Sequence, residues 1–515
     1  MMRELIIKKC VISGLMLISV STLSAQKATY DVYAGWYKQW NDSLKGANIV
    51  AAQQYLRNHK AKVKKKIVVG IVDSGADIDC KSLKPVLWTN PKEIPDGKDN
   101  DRNGYADDVH GWNFLGTKDG KFNMTSAGTE EYRQFKRLFP KYKNVKSEAE
   151  VAADDKDEYA YYLKMRRKAK INSYLMFYEH SIEKQKLMAR MADLLNQTKV
   201  NVDTLTLRGM LDEEVADTLA KNTFLQYIMT DLYRVPLDTK WNDYVKKQRS
   251  DCALMEKRIY GIEHDKDKRL LLGDDMDDAD DRFYGNNTLN VDGMDHGNFV
   301  AGVVAGVVAD DLRYSGVWTS ARVMPVRVSP DGDEYDKDVA SGIRYAVDNG
   351  AKVINVSLGK YTSPNPKMVN EAIAYAAKHD VLIVAAAGND HLNIDTIDYF
   401  PSAVDAAGKV FDNYIRVGGT AMDGSRSSIS NYGVNKVDLY APGEYISGVY
   451  PGDKKDFANG TSVAAPVVSG IAAMLRSYFP KVKAARLKRV LIETAREMNG
   501  LKLVDAEAAA KRLTR

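Results

Sequence analysis

The stretch "KIVVGIVD", residues 66–73, decides the fold. From Ile67 to Val72 it is an unbroken apolar run, β-branched except at Gly70, and Asp73 closes it. A strand with one face in water alternates apolar and polar side chains; a run without alternation predicts a strand covered on both faces, as in a parallel sheet between helical layers. Four more runs have the same character: "RVMPVRV" (322–328), "KVINVSLG" (352–359), "VLIVAAAGN" (381–389) and "YIRVGG" (414–419). Between them, "DKDVASGIRYAVDNGA" (336–351) and "PKMVNEAIAYAAKHD" (366–380) carry helical spacing and end near Gly or Asp. Strand and helix in alternation predict an α/β fold with a doubly wound, mostly parallel sheet, in which ligands gather at the carboxyl ends of the strands.

The chain has 515 residues, 44% of them hydrophobic, enough for a sizeable core and more than one domain. A net charge of +5 over this length leaves no electrostatic footprint for nucleic acid, and "KVKKK" (62–66) reads as a solvated lead-in to the first strand. The N-terminus has a basic start, an apolar run too short to span a bilayer and a small-residue end, which predicts a signal peptide over 1–25, export to a periplasm or the medium, and an N-terminal segment over 26–66. No later stretch reads as transmembrane, and oligomeric state leaves no trace. Beyond the signal peptide only Cys80 and Cys252 remain, and free thiols are the default for both.

Between 121 and 282 the texture changes to Lys, Glu, Met and Tyr. Ile171, Leu175, Tyr178 and Ile182 make one face of an amphipathic helix within 157–196, and further helices are expected over 212–233 and 240–260. This predicts a helical insertion, 121–282, interrupting an α/β domain made of 67–120 and 283–512. The Asp-rich stretch at 274–281 reads as a solvated loop.

Three candidate groups sit at element ends: Asp73 ends a strand, His296 opens "HGNFVAGVVAG", and Ser462 stands in "NGTSVAAPVVSG" (459–470). Alone, each reads as a turn, an exposed histidine or a helix cap. Together they form the set that a serine nucleophile needs, since the hydroxyl requires a base and the base an acid that orients it. Small residues after Ser462 predict a buried helix whose first turn presents the hydroxyl, with Pro466 in the part of the helix where no amide is missed, and with the Ser462 N–H free for an oxyanion. A second oxyanion donor is expected, and Asn389, after the strand running into Gly388, is the candidate for it; alone, Gly388 and Asn389 read as a turn-forming pair.

The stretches "VGIVDSGADID", "HGNFVAGVVAG", "AAAGN" and "GTSVAAPVVSG", in this order, resemble the subtilisin family of serine proteases. The resemblance implies that Asp73 orients His296, that His296 acts as base and then acid, that Ser462 is the nucleophile, and that Asn389 completes the oxyanion hole. It also implies that an extended polypeptide pairs along Ser357, Leu358 and Gly359, with Ala386, Ala387 and Gly388 opposite, which is the arrangement of an endopeptidase. Asn298 and Phe299 stand where the family has Thr and His, and Val467 where it has His. Asp73 and His296 lie 223 positions apart, a separation that the insertion explains, and about 47 residues between Ala25 and Asp73 are short for an inhibitory propeptide. The insertion is therefore expected to aid folding or to cover the cleft. A rival reading is a peptide-binding scaffold with that cleft closed. An esterase of the other serine-hydrolase fold expects a G-x-S-x-G elbow and another residue order.

In "GKDNDRNGYADDVHGW" (97–112), Asp99, Asp101, Asn103, the Tyr105 carbonyl and Asp107 fall at positions 1, 3, 5, 7 and 9 of a calcium loop, with Gly104 at the turn. His110 replaces the closing glutamate, and Asp108 is the candidate to complete the set. The readings are a structural calcium site, with which the resemblance agrees, or an acidic turn. No catalytic cofactor is expected.

Overall fold

Both faces of β1 (Val68–Asp73) are covered. Val69 and Ile71 enter a core with α6 (Asp295–Ala305) and α9 (Thr461–Tyr478), whereas Val72 enters a second core with α7 (Asp336–Asp348) and α8 (Pro366–Lys378). That double cover is why the run lacks alternation. The structure is a computed structural model describing residues 32–197, 200–211, 235–260 and 266–515. The expected signal peptide and the helix expected over 212–233 lie outside the described residues.

One sheet carries the fold, with nine strands in the order β12-β13-β9-β8-β7-β6-β1-β4-β2. Its members besides β1 are β2 (Trp112–Asn113), β4 (Arg322–Arg327), β6 (Val353–Val356), β7 (Leu382–Ala386), β8 (Tyr414–Thr420), β9 (Leu439–Pro442), β12 (Arg496–Met498) and β13 (Leu501–Leu503). From β2 to β13 all neighbours pair in parallel, and only β12 runs antiparallel to β13. β4 and β6 flank β1 on opposite sides, and α6, which precedes β4, and α8, which follows β6, lie in different cores. The strand order thus reverses at β1, which opens a crevice above its carboxyl end.

The helix α9 runs through the first core, where Val463, Val467, Val468, Ile471 and Leu475 are at most 2% exposed. Each such side chain contributes about 1.5–3 kcal/mol of burial, so this helix is firmly seated. α1 (Ile49–Asn58), α10 (Ala484–Glu493) and α11 (Ala506–Thr514) join the same layer, and Lys62–Lys66 are exposed as expected of a solvated lead-in. Short pairs complete the unit: β3 (Ser126–Gly128) with β5 (Asp331–Gly332), and β10 (Ile446–Tyr450) with β11 (Lys454–Ala458).

The chain divides into two units, Met1–Glu130 with Lys268–Arg515, and Glu131–Asp267. The second is narrower than the expected 121–282. Residues flanking it belong to the sheet unit because β3 pairs β5, Asn123 accepts from Asn113 Nδ2 at 2.7 Å, and Arg269 binds Asp338 at 2.7 Å. The Asp-rich loop is not wholly solvated either, since Asp274 is buried between Arg269 and Lys337, two cations that could not be buried unpaired.

The second unit contains most of α2 (Glu130–Tyr142), then α3 (Lys156–Lys168), α4 (Ile171–Leu195) and α5 (Trp241–Tyr260). The run 157–196 forms two helices, α3 and α4, parted where Lys170 takes a left-handed φ of 55°, and the predicted face falls on α4. Among the described residues many of its aromatics and methionines pack, while Met176 stays exposed: Phe135, Tyr142, Tyr159, Tyr162 and Met165 form one cluster, and Met188, Met191 and Leu195 pack on Trp241 and Tyr244 in another. Of the predicted face, Ile171 is buried while Leu175, Tyr178 and Ile182 are half-buried. Cys80 and Cys252 are both free and buried. No helix among the described residues is long and apolar enough to cross a membrane.

Candidate active site

Asp73 ends β1 at 1% exposure. Its Oδ1 accepts the Ser74 N–H at 2.7 Å and faces His296 Nδ1 at 2.8 Å, while Oδ2 is buried without a hydrogen-bond partner. With Nδ1 donating, the free lone pair of His296 is on Nε2. Burial opposes charging this ring, but the Asp73 carboxylate and its hydrogen bond outweigh burial and raise the imidazole above its ordinary value. The side chain stays 46% exposed, so the ring can reach a ligand.

Helix α6 can bring His296 here because Gly297 has no side chain. A Cβ there would lie 2.2 Å from the Gly75 carbonyl oxygen, and the Gly297 N–H instead donates to Ser74 Oγ at 3.0 Å. Asn298, fully buried, accepts the Asp77 N–H at 3.0 Å and donates to the Val449 carbonyl at 3.1 Å, and Phe299 packs against Tyr450 with ring centroids 4.8 Å apart. Asn298 therefore braces the loop after β1, while Phe299 packs on β10.

Ser462 is the second residue of α9. Its N–H has no protein acceptor among the described residues, as the first turn of a helix allows. Thr461 orders the neighbouring amide: the Asn389 Oδ1 accepts from Thr461 N at 2.8 Å and Thr461 Oγ1 at 3.0 Å, and Thr461 Oγ1 accepts from Gly388 N at 3.0 Å. With Oδ1 committed, Asn389 Nδ2 is the end that faces Ser462. A Cβ on Gly460 would lie 3.1 Å from Asn389 Nδ2 and 3.2 Å from Ser462 Oγ, so the two groups share one small space that only glycine leaves open. No hydrogen bond joins Ser462 Oγ to His296 among the described residues. The structure brings together Asp73 with His296, and Ser462 with Asn389.

Pro466 is not in the first turn, as expected, but at the sixth residue of α9. It has no N–H for the Ser462 carbonyl four residues back, and the Ser357 hydroxyl donates to that carbonyl instead, at 2.6 Å. Ser357 accepts from Asn355 Nδ2 at 2.8 Å, and Asn355 Oδ1 accepts from Ser469 at 2.8 Å, a buried polar chain that ties β6 to the helix. The segments Ser357, Leu358, Gly359 and Ala386, Ala387, Gly388 continue β6 and β7, which pair in parallel up to Val356 and Ala385. Asn431 was not legible as a site residue; its Nδ2 donates to the Ala387 carbonyl at 2.9 Å and its Oδ1 accepts from Asp390 N and Leu392 N, which shapes the loop bearing Asn389.

In the acidic loop, Glu93, Asp99 and Asp101 place carboxylate oxygens within 4.8 Å of one another. Glu93 had no sequence signal, because it lies outside the loop spacing. No ion pair among the described residues neutralises these three groups. Three hard oxygen donors without a counter-charge fit a calcium ion. Asn103 Oδ1 accepts from Tyr105 N at 2.8 Å, while Asp107 caps the Gly97 amide at 3.0 Å. Asp108 is fully buried among Asn90, Asn103 and the Tyr345 hydroxyl. Burial pushes Asp108 up to about 6, against the pull of those three hydrogen bonds. Asp107 and Asp108 fall outside this group of three; Glu93 too accepts loop amides, from Asn100, Asp101 and Asp107 at 2.9–3.1 Å. Gly104, at φ +96°, leaves room that a Cβ would take from Phe283.

The description of the subtilase family matches residues 64–509. The chain is 34% identical over 227 residues to Subtilisin BL of Lederbergia lenta, covering 43% of this chain and 79% of that one. Thermitase of Thermoactinomyces vulgaris is 33% identical over 219 residues, 42% and 73% of the two chains. Among solved structures, a protease from Pseudoalteromonas arctica PAMC 21717 is 29% identical, covering 42% of this chain and 70% of its own at a TM-score of 0.38. With a match that spans the strand of Asp73 and the helix of Ser462 alike, the chain belongs to the subtilase family and is a serine endopeptidase.

Proposed function

We propose that this chain cleaves polypeptides through Ser462, His296 and Asp73, by way of an acyl-enzyme. Ser462 Oγ attacks the peptide carbonyl while His296 Nε2 takes its proton; His296 then returns a proton to the leaving amine, and water repeats the sequence on the ester. Asp73 holds the ring by Nδ1 and stabilises its charged form. Asn389 Nδ2 and the Ser462 N–H receive the oxyanion. The observation that carries this reading is the 2.8 Å contact of His296 Nδ1 with Asp73 Oδ1, made across 223 residues at the carboxyl end of a parallel strand. The Ser462–His296 bond forms in the substrate complex, as catalytic hydrogen bonds often tighten only there.

A calcium ion on Glu93, Asp99 and Asp101 supplies structural charge neutralisation and no step of the chemistry. The signal peptide directs the chain to the periplasm or the medium. Labelling of the chain lacking residues 1–25 by a fluorophosphonate, with and without calcium, tests the nucleophile. Labelling that Ser462→Ala abolishes supports the reading; absence of labelling in folded, calcium-loaded protein favours the peptide-binding scaffold.

A further inference from the structure

We propose that Tyr399 plugs the slot beside Ser462 and restricts cleavage to bonds that follow glycine, alanine or serine. The inference rests on the hydrolase reading above and names the substrate class of that site.

The slot is defined by its walls. β6 and β7 are in register up to Val356 and Ala385, and the chain leaves them as the segments Ser357–Gly359 and Ala386–Gly388. Both walls are hydrogen-bonded to the nucleophile turn, Ser357 Oγ to the Ser462 carbonyl at 2.6 Å and Gly388 N to Thr461 Oγ1 at 3.0 Å. A peptide carbonyl held at Ser462 Oγ, with its oxygen at Asn389 Nδ2, therefore carries its own side chain toward the gap between the walls.

That gap is filled. A Cβ on Gly359 would lie 2.4 Å from the Tyr399 hydroxyl oxygen and 2.6 Å from Cζ, and a Cβ on Gly388 would lie 3.0 Å from Cε2 and Cζ of the same ring. One phenol thus touches both glycines, and Tyr399 is only 6% exposed. Two glycines facing each other normally leave a slot between bare backbones; here the protein supplies its own aromatic occupant. The ring is held on several sides. Phe400 N donates to the Lys360 carbonyl at 2.9 Å, and Lys360 N returns a bond at 3.3 Å. The Tyr361 ring is 5.3 Å away, and the Arg416 guanidinium lies 5.6 Å from the ring centroid. Swinging Tyr399 out would break this packing, so a large substrate side chain meets a filled site.

A single methylene in a fitted pocket changes selectivity about 10–200-fold, so rejection of a whole aromatic or leucine side chain is expected to reach at least about 100-fold in kcat/KM. The test uses the chain lacking residues 1–25 and internally quenched peptides that differ only in the residue before the cleaved bond. Cleavage after Ala and Gly at least about 100-fold faster than after Leu and Phe is expected, with Tyr399→Phe keeping the preference and Tyr399→Gly shifting it toward Leu and Phe. Peptidyl phosphonates with Ala or Phe at that position, applied to the unmodified chain, provide the same comparison without any variant; faster inactivation by the Ala reagent is expected. Fluorophosphonate labelling together with equal cleavage after Phe and Ala overturns the plug and leaves the hydrolase reading standing. A chain that neither labels nor cleaves overturns both.

Discussion

Replacing Ser357 by alanine probes how the nucleophile turn is held. Because Pro466 has no N–H, the Ser462 carbonyl depends on the Ser357 hydroxyl at 2.6 Å, and Ser357 is in turn the acceptor for Asn355 Nδ2 at 2.8 Å. The alanine strands both the Ser462 carbonyl and the amide of Asn355, a fully buried residue. Each buried orphan costs about 1–3 kcal/mol, so the expected loss is about 3 kcal/mol. Pro466→Ala in the same chain returns an N–H to the helix opposite the Ser462 carbonyl. The double variant should then recover about 2 kcal/mol relative to Ser357→Ala, while the cost at Asn355 stays. Urea unfolding of the four corners measures this, in a Ser462→Ala background that keeps the carbonyl and prevents self-digestion. Equal effects of Pro466→Ala on the parent and on the Ser357→Ala chain, within about 0.5 kcal/mol, would refute the proposed link.

Asp73 raises His296, and the base must be neutral, so the acid limb of kcat/KM is expected above about pH 6.5; Asp73→Asn should move the limb to lower pH and cut kcat by about 10⁴ in a pH–rate series. Gly297→Ala puts a methyl 2.2 Å from the Gly75 oxygen, and the forced shift of α6 by about 1 Å should lower kcat about 100-fold with the fold retained, read by kinetics and circular dichroism. Asn389→Leu removes one oxyanion donor and should cost about 10²–10³ in kcat with little change in KM, a magnitude established on subtilisin itself. Chelation of calcium should lower the midpoint of thermal unfolding, and Glu93→Gln should shrink that difference although Glu93 lies outside the loop spacing; equal chelator sensitivity in both chains would remove Glu93 from the site.

The strands of the sheet were legible because burial on both faces leaves a local record: every residue from Ile67 to Val72 must be apolar or small, whatever packs on it. Residue type and position at element ends likewise singled out Asp73, His296, Asn389 and Ser462, since each chemical role admits few side chains. Other features depend on closures between distant parts of the chain. Tertiary structure alone set Asp73 against His296, placed Tyr399 between Gly359 and Gly388, added Glu93 to the acidic loop, and gave the Ser462 carbonyl its donor from the segment after β6. Local periodicity reports only which face of an element is covered. The identity of the covering atom depends on how strands and helices far apart in the sequence come to lie side by side.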